Sequence, residues 1–270
     1  MYAWNWEPLL LLGLAVQLTA YLLCTVGPLR RFFPSAGPAS PLEVQLFCLG
    51  WLCLFVALVS PIDTLAGVSL TMHMMQHLLL VLFAPPLMLL GTPEWLFRPI
   101  MRLPVVPQIA MTLTRFIPAL LIFNVVFIVW HVPANYELTL RDQRFHILEH
   151  ALFFGTAVLT WWPIFGSLPE LPRTHPLSQT VYLFLQSLPA TILGALITFS
   201  NDVLYPHYLT QPRLWGLSVM DDQQLGGLIM WIPGSLVYFA VLTFVFIRWL
   251  NREDRPQPRP KPRPSEVNSQ

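Results

Sequence analysis

Charge is scarce in this sequence. Of its 270 residues only 11% are Asp, Glu, Lys or Arg, against roughly 25% in a soluble domain. Hydrophobic residues make up 55%, and the mean hydropathy is +0.58. A net charge of +1 leaves no concentrated basic surface, which argues against a nucleic-acid partner. Cysteine is thin as well. Cys24, Cys48 and Cys53 lie in apolar runs with no CxxC spacing, so they read as small buried hydrophobes and not as a disulfide framework or a thiolate site. No Lys or Arg precedes the first apolar run. A secretory signal has the opposite layout, so that run is expected to remain as a helix, with Tyr2, Trp4 and Trp6 at the membrane interface. Nucleotide-binding glycine motifs, an HExxH pattern, and a cysteine nucleophile with a plausible base are all absent, and the chain is not expected to be an enzyme.

What the sequence does have is long apolar runs. A spanning helix needs about 20 mostly apolar residues, and seven windows qualify, at about 8–26, 43–60, 71–91, 113–131, 145–166, 180–200 and 223–249. The expected fold is an all-α integral membrane protein, one seven-helix domain over 1–251 in the lipid bilayer. A disordered Pro/Arg-rich tail is expected over 252–270. Pro85-Pro86 should bend or loosen the third helix, since spanning helices tolerate proline where neighbours satisfy the freed backbone groups. Placing the N-terminus outside puts twelve of the fifteen Lys and Arg residues on the inner side, leaving Arg141, Arg144 and Arg213 outside. The positive-inside rule therefore predicts N-terminus out and C-terminus in, in a bacterial cytoplasmic membrane.

On that topology six of the seven histidines fall in the outer leaflet or just above it. His73 and His77 open the third helix, His131 ends the fourth, His146 and His150 open the fifth, and His207 lies in the sixth loop. Residues four apart share a helix face, with Cβ atoms about 6 Å apart. Two such imidazole pairs on two helices, with His131 at a third, form a candidate metal site. Asp63, Glu149, Asp221, Asp222, Gln223 and Gln224 stand at the same level as further ligands or as groups that orient the rings. Met72, Met74 and Met75 flank the first pair. Thioether selects copper(I) among the metals that imidazole suits, although methionine is also an ordinary packing residue and Met74 and Met75 cannot both face the histidines. Asp221 and Asp222 also suit helix N-capping. His175, on the inner side, and His207 read as incidental. Haem is the alternative occupant, with His77 and His150 as axial ligands of a redox protein. A transporter ranks below it, because the polar groups lie on one side only, and a hydrolase ranks last.

Several stretches carry a likeness: SPIDTLA at 60–66, HMMQHLLL at 73–80, APPLMLLG at 84–91, WHVPANY at 130–136, HILEHALFF at 146–154, WWPI at 161–164 and DDQQLGGLIMWIPG at 221–234. As an ordered set they resemble the seven-helix CtaG-type assembly factors of caa3-type cytochrome c oxidases, over about residues 40 to 250. The resemblance implies help in building the haem–copper centre. Copper would pass to the oxidase catalytic subunit, whose copper lies in the outer half of the bilayer, and periplasmic copper donors are implied upstream. The motif positions include His73, His77, His131, His146 and His150, with Gln76, Tyr136, Glu149, Asp222 and Gln223.

Overall fold

The computed structural model describes residues 3–33, 37–171 and 173–253. Tyr2 and residues 254–270 of the expected tail lie outside them. All regular secondary structure among the described residues is helical, with no strand. The main helices are α1 (Pro8–Thr25), α2 (Pro41–Val59), α3 (Leu70–Leu90), α4 (Phe116–His131), α5 (Pro133–Arg141), α6 (Gln143–Phe165), α7 (Pro176–Thr198) and α8 (Val219–Glu253). Six of these (α1, α2, α3, α6, α7 and α8) are long and apolar enough to cross a membrane. The fourth window is α4, whose 16 residues follow the short helix Val106–Leu113 at a bend of 77°. Counting that pair as one span makes seven. Where the tail is expected to begin, α8 instead continues through Arg252 and Glu253.

Proline sets many of the helix starts. Pro8, Pro41, Pro133 and Pro176 occupy the first turn of their helices, where the N–H has no helical partner and the fixed φ suits the helix. At α2 this combines with a capping box, Ser40 with Glu43.

Burial ranks the helices. Of the apolar window in α3, 67% is buried inside the protein, against 17% in α1. The helix that carries HMMQH is therefore central, and α1 turns Leu9, Leu12 and Val16 outward. In α3 the turn Leu79–Phe83 is wound as a π-helix just ahead of Pro85-Pro86. Pro85 has no N–H for the carbonyl of Val81, four residues back. The indole of Trp161, on α6, donates to that carbonyl at 2.9 Å instead. The expected loosening is thus a widened turn whose lost backbone bond is replaced from a neighbouring helix.

Close helix approach brings α7 and α8 together. A Cβ on Gly194 would stand 2.9 Å from the Gly227 carbonyl oxygen, a separation that only glycine allows. The largest core joins Leu54, Leu80, Phe123, Phe153, Trp161, Tyr182 and Tyr238. A second joins Leu70, Met74, Tyr136, Tyr205, Tyr208 and Met230 around the first turns of α3.

Candidate metal centre

The start of α3 is fixed from outside the helix. Helix N-termini leave N–H groups without partners. The buried carboxylate of Asp222, on α8, accepts from the N–H groups of Leu70 at 2.8 Å and Thr71 at 3.2 Å, and from the Ser69 hydroxyl at 2.6 Å. Ser69 in turn accepts from the Met72 N–H. The negative charge also suits the positive end of the helix dipole. Asp222 therefore caps a neighbouring helix, and its oxygens point to α3's backbone. One turn further in come His73 and His77.

Their rings lie 4.2 Å apart, centroid to centroid. The second pair, His146 and His150 on α6, has the same 4.2 Å spacing. The two helices set the pairs side by side, with His73 6.4 Å from His146 and His77 5.7 Å from His150. His131, at the end of α4, lies 6.2 Å from His77. All five candidate histidines thus meet in one place.

Glu149 completes the arrangement. Its carboxylate is fully buried, with Oε1 3.8 Å from Nε2 of His73 and 3.9 Å from Nε2 of His77. A charge-assisted hydrogen bond would be about 2.7–2.9 Å, so these are not hydrogen bonds. Imidazole nitrogen and carboxylate oxygen bind ions such as zinc at about 2.0–2.2 Å, so donors up to about 4.2 Å apart can share one ion. The donor atoms of His73, His77 and Glu149 all lie within 4.8 Å of one another, and so do those of Asp63, His146 and His150.

The polar accounting singles out the same place. Both ring nitrogens of His73 and of His77, both oxygens of Glu149, and Nε2 of His131 and of His150 are buried with no hydrogen-bonding partner among the described residues. Buried polar atoms are nearly always paired, so eight in one cluster mark a site built for something other than hydrogen bonding. His131 adds a tautomer. Its Nδ1 lies 2.7 Å from the Phe127 carbonyl and must donate to it, which leaves the Nε2 lone pair free for a ligand. These residues fit a cation.

Other predicted residues hold the site in shape. Gln76 donates to Asp63 Oδ1 at 2.8 Å and to the Ala57 carbonyl at 2.9 Å. Gln223 accepts from the Leu204 N–H and donates to the Asp202 carbonyl, tying down the loop after α7. The ring of Tyr136 lies 4.8 Å from that of His73, and its hydroxyl pairs with that of Tyr208 at 2.7 Å. Burial pushes both phenols well above the usual tyrosine range, so this pair stays neutral. Met72 packs with Leu65 and Leu214, and Met75 is exposed. Met74 instead lines a cavity of about 40 Å³ with His77, His131 and Met230. His207 bonds the Gly67 carbonyl and His175 begins α7.

Sequence reasoning missed Tyr205 and Tyr208. Tyr205 donates to the His131 carbonyl at 3.0 Å, and Tyr208 to that of Ala66 at 3.1 Å. The only signal was the stretch YPHY, read for its histidine.

A family model described as cytochrome c oxidase caa3 assembly factor matches residues 19–252. The chain is similar to an uncharacterized protein of Mycobacterium leprae, 25% identical over 233 residues, covering 77% of this chain and 34% of that protein. Uncharacterized proteins of Mycobacterium bovis and Mycobacterium tuberculosis are each 27% identical over 231 residues, with the same coverage. The chain spans about a third of the length of these curated relatives. No solved structure matches.

Proposed function

Since the chain belongs to the cytochrome c oxidase caa3 assembly factors, we propose that it carries copper on its buried histidine–glutamate cluster and gives it to the oxidase. Proteins of this family are chaperone-like, non-catalytic and multi-pass in the inner membrane, with a general role in oxidase assembly. Copper as the cargo, the outer leaflet as its level and the catalytic subunit as its recipient are the steps beyond.

The observation that carries the reading is the set of unpaired donors on His73, His77 and Glu149. The two imidazoles and one carboxylate supply lone pairs together with one negative charge, which offsets a cation where the dielectric is low. His131 adds a lone pair at the cluster's edge. Met74 and Met230 on the adjoining cavity favour copper(I), the softest candidate. With the bent pair counted as one span there are seven crossings, and the distribution of Lys and Arg supports an N-terminus and a site on the periplasmic side. A recipient copper site in that same leaflet is reached sideways, without releasing the ion to water.

Haem is disfavoured by crowding. Around His77 stand His73, His131 and Phe153, whose rings lie 4.2, 6.2 and 4.7 Å from its own, which leaves little room for a flat macrocycle beside it.

The test is one purification read two ways, by elemental analysis and by visible spectrum before and after dithionite. Copper near one equivalent per chain or more, without a Soret band, is expected, and H73A/H77A should lose the tightly held copper while remaining folded. A Soret band with stoichiometric iron, or normal copper retention in the double variant, would overturn the reading.

A further inference from the structure

We propose that the cluster holds two cation positions in series: an outer one on Asp63, His146 and His150, where metal arrives, and an inner one on His73, His77 and Glu149, where it is kept. This rests on the reading of the cluster as a metal carrier and adds to it a number of ions and a direction.

The two donor sets share no residue, and in each the ligand atoms lie within 4.8 Å of one another, so a side-chain shift of a few tenths of an ångström closes either on one ion. They differ in exposure. The inner donors are buried, with His73 and Glu149 at 0% and His77 at 7% exposure; in the outer set His150 is buried too, at 9%, and it is Asp63 and His146, both half-buried, that open it to the outside. An open vestibule of about 610 Å³ leads to them, with Trp4, Asn5 and Arg141 on its walls. Asp63 and His146 of the outer set line it, and of the inner set only His73 does. A hydrated ion coming from solvent therefore meets the outer donors first.

The outer carboxylate is pre-oriented. Asn5 donates to Oδ2 of Asp63 and Gln76 to Oδ1, each at 2.8 Å. Each oxygen of an ionised carboxylate keeps a further lone pair, so the group stays able to ligate while held in one orientation. Gln76 sits on α3 between His73 and His77 and so couples the two sets mechanically. His150 has a buried Nε2 with no protein partner, and one of its ring nitrogens lies within 4.8 Å of the ligand atoms of Asp63 and His146.

The chemistry of transfer is ligand exchange without redox change. Bonds to His146 and His150 are replaced one at a time by bonds to His73 and His77, and Glu149 replaces Asp63. Each position offers two neutral imidazoles and one carboxylate, so charge is conserved. The ring separations of 6.4 and 5.7 Å between the pairs let neighbouring donors compete for one ion. The inner donors gain more from the ion, because the Glu149 oxygens and the ring nitrogens of His73 and His77 are already out of water with no other partner, whereas both Asp63 oxygens already accept hydrogen bonds. Metal therefore runs inward.

The experiment titrates Cu(I), under reducing conditions, into the full chain in detergent against a colorimetric chelator, and follows the rate of loading. Wild type should take two equivalents of unequal affinity. H146A/H150A should lose the weaker one, keep the tight one and load at least tenfold more slowly. The milder D63N should slow loading at unchanged inner affinity. H73A/H77A should keep only the weaker equivalent. Circular dichroism and melting curves select the folded variants. A single equivalent in wild type, or loss of all copper in both histidine double variants, would mean one shared site and overturn the two-position proposal alone. No copper in wild type would overturn the carrier reading as well.

Discussion

Nε2 of His73 and Oε1 of Glu149 stand 3.8 Å apart, both side chains out of reach of solvent, too far to bond each other and near enough to bind a third atom between them. A buried polar group without a partner costs about 1–3 kcal/mol. A fold that keeps one at its centre, with both oxygens unpaired, gives up stability there, and such breaches of polar accounting concentrate at functional sites.

That relationship predicts opposite signs for one substitution. Glu149→Gln keeps the shape and removes the charge. In metal-free protein it should raise the melting temperature or leave it unchanged, since the amide N–H groups can donate to imidazole nitrogens of His73 and His77 that otherwise have no partner. With copper it should weaken binding by about tenfold to a hundredfold, at least the loss typical for groups that merely support ligands. Paired melting curves and chelator competition read both effects. A variant less stable without metal would mean that Glu149 is already satisfied in the fold.

Asp222 carries the position of the histidine helix without touching the cluster. Asp222→Asn replaces one acceptor oxygen with an NH₂ group that faces donors on Ser69, Leu70 and Thr71. The expected loss is about 1.5–3 kcal/mol, the range for hydrogen bonds to a charged group. Copper affinity should fall with it, because the first turn of α3 frays beside His73. Chemical or thermal unfolding in detergent measures the first effect and chelator competition the second.

Trp161 separates stability from binding. Trp161→Phe keeps most of the packing and leaves the Val81 carbonyl without its donor. An unsatisfied buried acceptor costs about 1–3 kcal/mol, and the melting temperature should drop accordingly. Copper stoichiometry should not change, since the π-turn lies beyond His77 and away from the donors. Lost stoichiometry in a folded W161F protein would show that the widened turn sets the histidine geometry.

Which parts were legible follows from range. A spanning helix must be apolar along its whole length, so the windows show directly in the sequence, as does the i, i+4 pairing of His73 with His77 and of His146 with His150. The 77° bend ahead of α4 depends on packing and leaves no periodic trace. Glu149 read as an accessory because a residue between two histidines can face either way. Only the rotation of α6 against α3 turns it to the centre. Asp222 suggested a cap for its own helix, and the helix it caps begins some 150 residues earlier in the chain. Tyr205 and Tyr208 sit in a loop, where neither period nor hydropathy distinguishes a buried ring from an exposed one.

Metal linkage supplies the last prediction. A ligand that binds only the folded state stabilises it by RT ln(1 + [L]/Kd), about 2.7 kcal/mol at one hundred times Kd. The donors of this cluster come from α3, α4 and α6, so the unfolded chain cannot gather them and the condition holds. Copper(I) held near that excess should therefore raise the unfolding free energy of wild type by about that amount, and removing it with a chelator should reverse the gain. H131A should keep part of the shift, because His73, His77 and Glu149 remain. H73A/H77A should lose most of it, although its apo melting curve stays close to that of wild type. Equal copper-induced shifts in wild type and H73A/H77A would place the stabilising metal elsewhere on the protein.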